Sequence, residues 1–352
     1  YHFLDMETGH RFKKVELSSI DTALLMGGVL FAQSYFDGEG AKETHIRALA
    51  DSLYRRVEWD WMQPRDPLIG MAWRPGEGFS DYDYEGYNEA MILYLLALGS
   101  PTHPIDEAAW AEYTSTYTWD SFYGHEHVNF SPLFGHQYSH IWVDFRDIQD
   151  PYMREKGLDY FENSRRAVLA QQAYAEENPK GWTGYGEHVW GLTASSGPAT
   201  VEKTVDGETR QFHSYWARGA SAEHVRDDGT LSPAATAGSL PFAPEIIVPT
   251  LQTMHERYGE WIWGPYGFYD AFNPTFTFTD TKSWRGTVDP KWGWRSTDYL
   301  STNQGPIVLM IENHRSGFVW DVMKRNKYVV RGLCRAGFSG GWLDGRCEEL
   351  TP

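Results

Sequence analysis

The residues with chemical meaning in this sequence are acidic side chains set inside aromatic or glycine-rich stretches: Glu16, Asp21, Asp83, Glu85, Glu89, Glu126, Glu187 and Asp270. Breaking a glycosidic bond takes one carboxylic acid to protonate the leaving oxygen and a second carboxylate to activate water or attack carbon. The acid of such a pair must hold a proton near neutral pH, which an apolar wall achieves by penalising the charged form. Glu89 has neighbours of that kind, with Tyr84 and Tyr87 before it and an apolar run, 91–98, behind it. A second reading stands beside this one. In the first turn of a helix, Glu89 would answer free backbone N–H groups and the helix dipole, which lowers a carboxyl pKa. Asp21 carries the same ambiguity, with capping the expected job. Asp270, in "YGFYDAFNP", has no clear helix to cap.

Other patterns point to less. "GHEHVNFSPLFGHQYSH" brings His125, His127, His136 and His140 together, the last two one helical turn apart. The HExxH order and a firm third ligand are missing, so a polar cluster at a cleft is expected rather than a metal site. "GFSGG" (337–341) has the outline of an esterase elbow, yet the last histidine, His314, precedes it, whereas that chemistry needs a later one. No phosphate-cradling loop or dinucleotide fingerprint is present, and no cofactor is expected.

Asp plus Glu number 48 against 31 Lys plus Arg, a net charge of −17. That field repels phosphate backbones and anionic membranes, so neither nucleic acid nor a membrane surface is an expected partner. The apolar run is too short to cross a bilayer. Aromatic residues are abundant, with 16 Trp, 21 Tyr and 18 Phe. Most belong in a core, but sugar rings also pack on indole and phenol faces, which favours saccharide ligands. Cys334 and Cys347 are close enough in sequence to form one disulfide, which suits an exported protein.

Helices must position these groups. Apolar residues recur at three- and four-residue steps in 41–58 and 244–258, while 18–36 is apolar nearly all round. Segments 131–145, 157–178 and 304–323 complete a mostly helical pattern. Short hairpins are expected around Thr8-Gly9 and Asp206-Gly207. The stretches 59–88, 181–245 and 259–300 are too long for ordinary connections and read as functional loops. No linker divides the chain. The pattern predicts an all-α domain over 1–352, with helix pairs in a barrel and the site at the loop ends.

Eight stretches carry a resemblance: "YHFLDMETG", "ELSSIDTALL", "YEGYNEAMILYLLALGSPTHP", "LFGHQYSHIWVDFRDI", "YGEHVWGLTASSGP", "DGTLSPAATAGSLPFAPE", "YGFYDAFNP" and "NQGPIVLMIENHRSGFVW". In this order, over residues 1 to about 340, they resemble the glucoamylase-like domain of bacterial β-1,2-glucanases, glycoside hydrolase family 144. That group is related to the corresponding domain of cyclic β-1,2-glucan synthases. The resemblance implies an (α/α)6 barrel, an anomer-inverting hydrolase of β-1,2-glucan, and export to the periplasm or cell exterior. It also implies further helical sequence ahead of residue 1. Glu89 in "GYNEAM" falls where the family's general acid lies. Asp270 matches the base and Glu16 a further essential acidic residue, and these two exchange roles if water is activated through a substrate hydroxyl. Asp21, Asp83, Tyr87, Glu126, His136, His140, Glu187, Trp190 and Asn303 are expected to touch an oligo- or polysaccharide. Two positions depart from the family pattern. Ser196 ("ASSGP" for "ASDGP") and Asn303 ("STNQGP" for "GIDQGP") each put a neutral group where a carboxylate is expected. A family member without catalysis, binding saccharide only, is the competing expectation these departures raise. Transfer of glycosyl units between glucans is another.

Overall fold

In the computed structural model, which describes residues 1–348, the longer helices follow the apolar periodicity closely. Among the described residues, the helices of eight residues or more are α1 (Ser19–Tyr35), α2 (Ala41–Arg55), α3 (Met91–Gly99), α4 (Ala108–Ser115), α5 (Tyr160–Glu177), α6 (Pro244–Ile262), α7 (Ser301–Ser316) and α8 (Lys327–Arg335). Contacts group the chain into two compact units. One holds residues 1–117, 142–161 and the segment from 317 onward; the other holds 118–141 and 162–316. Among the described residues, no helix is long and apolar enough to cross a membrane.

In the first unit, Ser18 caps α1, its Oγ accepting from Asp21 N at 3.2 Å. The cap is therefore Ser18, and Asp21 sits in the first turn behind it. Residues Ala23, Met26, Gly27 and Leu30 bury one face of α1 at three- and four-residue steps. Every residue of α3 is buried. Its partner is α8, and the two backbones approach through glycines. A Cβ on Gly332 would lie 2.0 Å from Leu95 O, and one on Gly99 2.1 Å from Tyr328 O. Helices meeting this closely leave no room for a side chain at either point. A disulfide joins Cys334, in the last turn of α8, to Cys347, as expected. The N-terminal hairpin also forms: Leu4 pairs with Arg11, and Asp5 Oδ1 accepts from Glu7 N and Thr8 N across the turn.

In the second unit, α5, α6 and α7 accompany several short antiparallel ribbons. Val201–Val205 pairs with Glu208–Phe212 around Asp206 and Gly207, both at positive φ, the geometry an Asp-Gly turn favours. Ala194–Ser196 pairs with Tyr215–Ala217, and Phe272–Asn273 with Gly293–Arg295. Tyr174, Val189, Leu192, Leu231, Met254, Trp261, Ile262 and Phe272 form one apolar core, while Trp182, Phe212, Phe276 and Trp294 form another.

The helical reading holds, and strands are more numerous than the two hairpins expected. The continuous helix expected over 131–145 is broken into a 3-10 turn, Leu133–His136, and a short helix, Tyr138–Trp142. Pro132 precedes the turn in extended conformation, and a Cβ at Gly135 would strike the Phe130 ring at 2.2 Å. Segment 304–323 is likewise divided, because Gly317 adopts φ 70° between α7 and a short helix, Phe318–Met323. The stretches 59–88, 181–245 and 259–300 contain most of the ribbons, so they are built loops rather than open coil.

Candidate active site

Glu89 lies one residue before Ala90, the residue that caps α3, and is therefore outside the first turn. No acidic side chain occupies that turn, which removes the capping reading for Glu89. The turn ahead of α3 is held by Asn88 instead. Its Oδ1 accepts from Ala90 N at 2.9 Å and from Tyr113 OH at 3.2 Å, while Nδ2 donates to Glu85 O. Tyr94 on α3 donates to Tyr84 O at 2.7 Å and accepts from Ile69 N at 3.0 Å. The buried helix thus fixes the polar turn in front of it.

Glu89 keeps some access to solvent while being densely surrounded by protein. Burial pushes its carboxyl from the ordinary 4.5 up to about 7, and the nearby charge of Asp21 adds to the rise. Its own backbone N–H and the Tyr84 hydroxyl pull the other way and are outweighed. A carboxyl in this condition is protonated near neutral pH and can donate.

Two further carboxylates of the same unit have opposite surroundings. His2 Nδ1 lies 2.8 Å from Glu16 Oε1, and Arg74 Nη2 donates to Glu16 Oε2 at 3.2 Å. Burial would raise the Glu16 pKa, but its backbone N–H, His2 and Arg74 together hold it below the usual range. His2 Nε2 is also 3.8 Å from Asp21 Oδ2, so one imidazole stands between Glu16 and Asp21. Glu16, Asp21 and Glu89 are brought together here, along with Tyr84, His2 and Arg74.

In the second unit Asp270 is buried, and burial raises its pKa. Ser196 N donates to Asp270 Oδ2 at 2.8 Å and Asn303 Nδ2 to Oδ1 at 2.6 Å, both favouring the charged form. Asn303 also donates to Ala194 O at 3.2 Å. At the two positions that depart from the family pattern, the main-chain N–H of Ser196 and the side-chain amide of Asn303 are therefore donors to one carboxylate. A carboxylate at 303 would instead face a carboxylate.

Several expected contact residues are occupied otherwise. Asp83 is held bidentate by Arg65, with Nε–Oδ2 and Nη2–Oδ1 both 2.6 Å. The Tyr87 ring is buried and stacks parallel to Tyr160 at 6.0 Å. His136 and His140 are wholly buried, with Nε2 of His136 3.2 Å from Phe130 O and Nε2 of His140 3.1 Å from Ser164 Oγ. Burial holds the His136 pKa well down and that of His127 at about 4, which keeps both rings neutral. Trp190 is wholly buried and donates to Thr250 Oγ1 at 2.9 Å. A saccharide has no access to His136, His140 or Trp190, so these three are corrected to internal packing. Glu126 and Glu187 are exposed and join neither carboxylate group; their backbone carbonyls accept from Arg166 and Gln172.

Sequence reasoning missed His2, Arg65, Arg74, Arg218 and Asp228. Arg218 is wholly buried and paired with Asp228 at 2.6 Å close to Asp270. An Arg between two apolar-rich ribbons was the available signal, since cations are seldom buried without a partner.

Residues 81–327 match the family model Glycoamylase, described as "Putative glucoamylase", and the chain belongs to that family. It is 30% identical over 365 residues to the exo β-1,2-glucooligosaccharide sophorohydrolase (non-reducing end) of Parabacteroides distasonis, covering 94% of this chain. The chain spans about half (46%) of that curated relative's length. Among solved structures, the endo-β-1,2-glucanase from Chitinophaga pinensis, in complex with sophorotriose and glucose, is 30% identical. That match has a TM-score of 0.79 and covers 97% of this chain and 77% of the other. The β-1,2-glucanase from Parabacteroides distasonis is 28% identical with a TM-score of 0.74, covering 91% of this chain and 45% of the other.

Proposed function

We propose that this chain is an anomer-inverting hydrolase of β-1,2-linked glucan, with Glu89 as general acid and Asp270 as general base. The observation that carries the reading is the Glu89 carboxyl, raised to about 7 by burial before an apolar helix. Protonated there, Glu89 transfers its proton to the glycosidic oxygen as the bond to the anomeric carbon breaks. Asp270, whose carboxylate accepts from Ser196 N–H and the Asn303 amide, is the proposed base and takes a proton from the attacking water. Glu16, ionised and held by His2 and Arg74, is the carboxylate left to bind sugar hydroxyls or to share the activation of water.

The substrate linkage rests on the relatives named above, which are named for activity on β-1,2-glucans or their oligosaccharides. The arrangement of the helices in an (α/α)6 barrel is part of the same proposal. Export to the periplasm or cell exterior is supported by the Cys334–Cys347 disulfide, a bond that persists in oxidising compartments. A non-catalytic saccharide binder is disfavoured, because Glu89, Asp270 and Glu16 are all present. The test is Glu89→Gln assayed on β-1,2-glucooligosaccharides. Sugar release is expected to vanish while circular dichroism is unchanged; turnover persisting at the wild-type rate would remove Glu89 from the mechanism.

A further inference from the structure

We infer that Arg218 is a positioning residue for Asp270, acting through the backbone of residues 195–197; this rests on the reading of Asp270 as the base. The guanidinium is wholly buried and meets Asp228 as a fork, Nε to Oδ1 at 2.6 Å and Nη2 to Oδ2 at 2.8 Å. Its remaining N–H groups go mainly to main-chain carbonyls: Nη1 to Ser195 O at 3.0 Å and Nη2 to His213 O at 3.1 Å, with longer contacts to Ser195 Oγ, Ser196 O and Trp216 O. These carbonyls belong to the Ala194–Ser196 strand and to the Tyr215–Ala217 strand beside it, or lie just ahead of the latter. The next residue, Gly197, rides directly on the cation: a Cβ there would lie 2.2 Å from Arg218 Nη2.

That strand carries Ser196 N, one of the two donors to Asp270. The same ion pair is tied to the segment that follows Asp270 as well. Asp228 O accepts from Asn273 Nδ2 at 3.0 Å, and Asn273 lies in the strand that begins two residues after Asp270. One Arg–Asp pair therefore holds both the donor strand and the strand that follows the carboxylate. Burying such a pair gives little net stability compared with apolar side chains of equal volume. What it supplies is fixed geometry, which a fork of rigid donors provides and an ammonium does not.

Other charged groups near Asp270 are accounted for. Asp270 N donates to the Asp298 carbonyl, and the Asp298 side chain is held by Arg285 at 2.9 Å. Arg295 lies over the Tyr269 ring at 4.9 Å. Among the charges named, Arg218 is the one whose field favours the anion of Asp270, and the positive charge survives in Arg218→Lys while the fork is lost.

The experiment compares wild type, Arg218→Lys and Asp270→Asn on a β-1,2-glucooligosaccharide, reading kcat, KM and the pH profile of kcat. For Arg218→Lys we expect kcat to fall on the order of 10-fold or more with KM within about twofold, as for a misplaced reacting group. The acidic limb is expected to move to higher pH, because a displaced Ser196 N–H leaves the Asp270 anion less stabilised. An unchanged kcat and pH profile, with Asp270→Asn inactive, overturns the role of Arg218 alone. An active Asp270→Asn overturns the reading of Asp270 and this inference with it. Should Arg218→Lys fail to fold, Asp228→Glu, which keeps both charges and shifts the fork, is read by the same criteria.

Discussion

Replacing Glu89 with glutamine has a consequence for stability that is separate from catalysis and has a defined sign. A carboxyl whose pKa is raised in the folded state binds its proton more tightly there than in the unfolded chain. The group stays neutral in the fold up to about pH 7, while the unfolded chain ionises it from 4.5 upward. Wild type therefore loses stability at this site as pH rises from 4.5 through 7, and the loss levels off above that. Each pKa unit is worth about 1.4 kcal/mol, so the displacement from 4.5 to about 7 amounts to about 3 kcal/mol. Glutamine has no proton to lose and escapes this penalty. Urea unfolding of wild type and Glu89→Gln, run at several pH values between 4 and 8.5, measures the difference. A constant offset from altered hydrogen bonding cancels in the comparison across pH. The variant should gain about 3 kcal/mol relative to wild type between the two ends of that range. A difference independent of pH would mean that Glu89 titrates as an ordinary exposed carboxyl, and the account of its proton would fail.

Three further perturbations probe separate parts of the structure. Asn303→Asp replaces a 2.6 Å donor to Asp270 with a second carboxylate. The acidic limb of the kcat profile should move to higher pH and kcat near pH 6 should fall; an unchanged profile would show that Asn303 does not govern Asp270. Gly332→Ala drives a methyl to 2.0 Å from Leu95 O between α3 and α8, and should lower stability by about 1–3 kcal/mol in urea unfolding, or more if the helices cannot part. Wild-type stability in that variant would contradict the close approach. Cys334→Ser opens a loop with a sequence separation of 13, and should cost about 3 kcal/mol, equal to the loss on reducing the wild type.

What the sequence made legible follows from how local each cause is. The buried helix α3 is readable because its apolar run is continuous, and the Asp206-Gly207 ribbon because its turn chemistry is carried by two adjacent residues. The place of Glu89 was ambiguous by a single residue: starting α3 at Met91 rather than earlier leaves it outside the first turn. Asn88, which holds the turn, is invisible to periodicity because its partners are Ala90 N and the distant Tyr113 hydroxyl. The group around Glu16 depends on Arg74, 58 residues away, and that around Asp270 on Ser196, 74 residues away. Pairings of that range come from tertiary packing, which leaves no local pattern. The misplaced histidines have a similar cause. Ligand-like spacing brought His136 and His140 to notice, whereas burial, which spacing does not report, makes both internal groups and holds His136 neutral.

The central claim is inverting hydrolysis of a β-1,2-linkage, and proton NMR during early turnover tests it most directly. Linear β-1,2-glucan, with β-1,3-, β-1,4- and α-linked glucans as controls, is incubated with the protein, and the anomeric signals of the new reducing ends are followed before mutarotation. The account predicts that β-1,2-glucan is cleaved in preference to the others and that the first new reducing ends are α. Initial release of β anomers, or cleavage confined to another linkage, would contradict it.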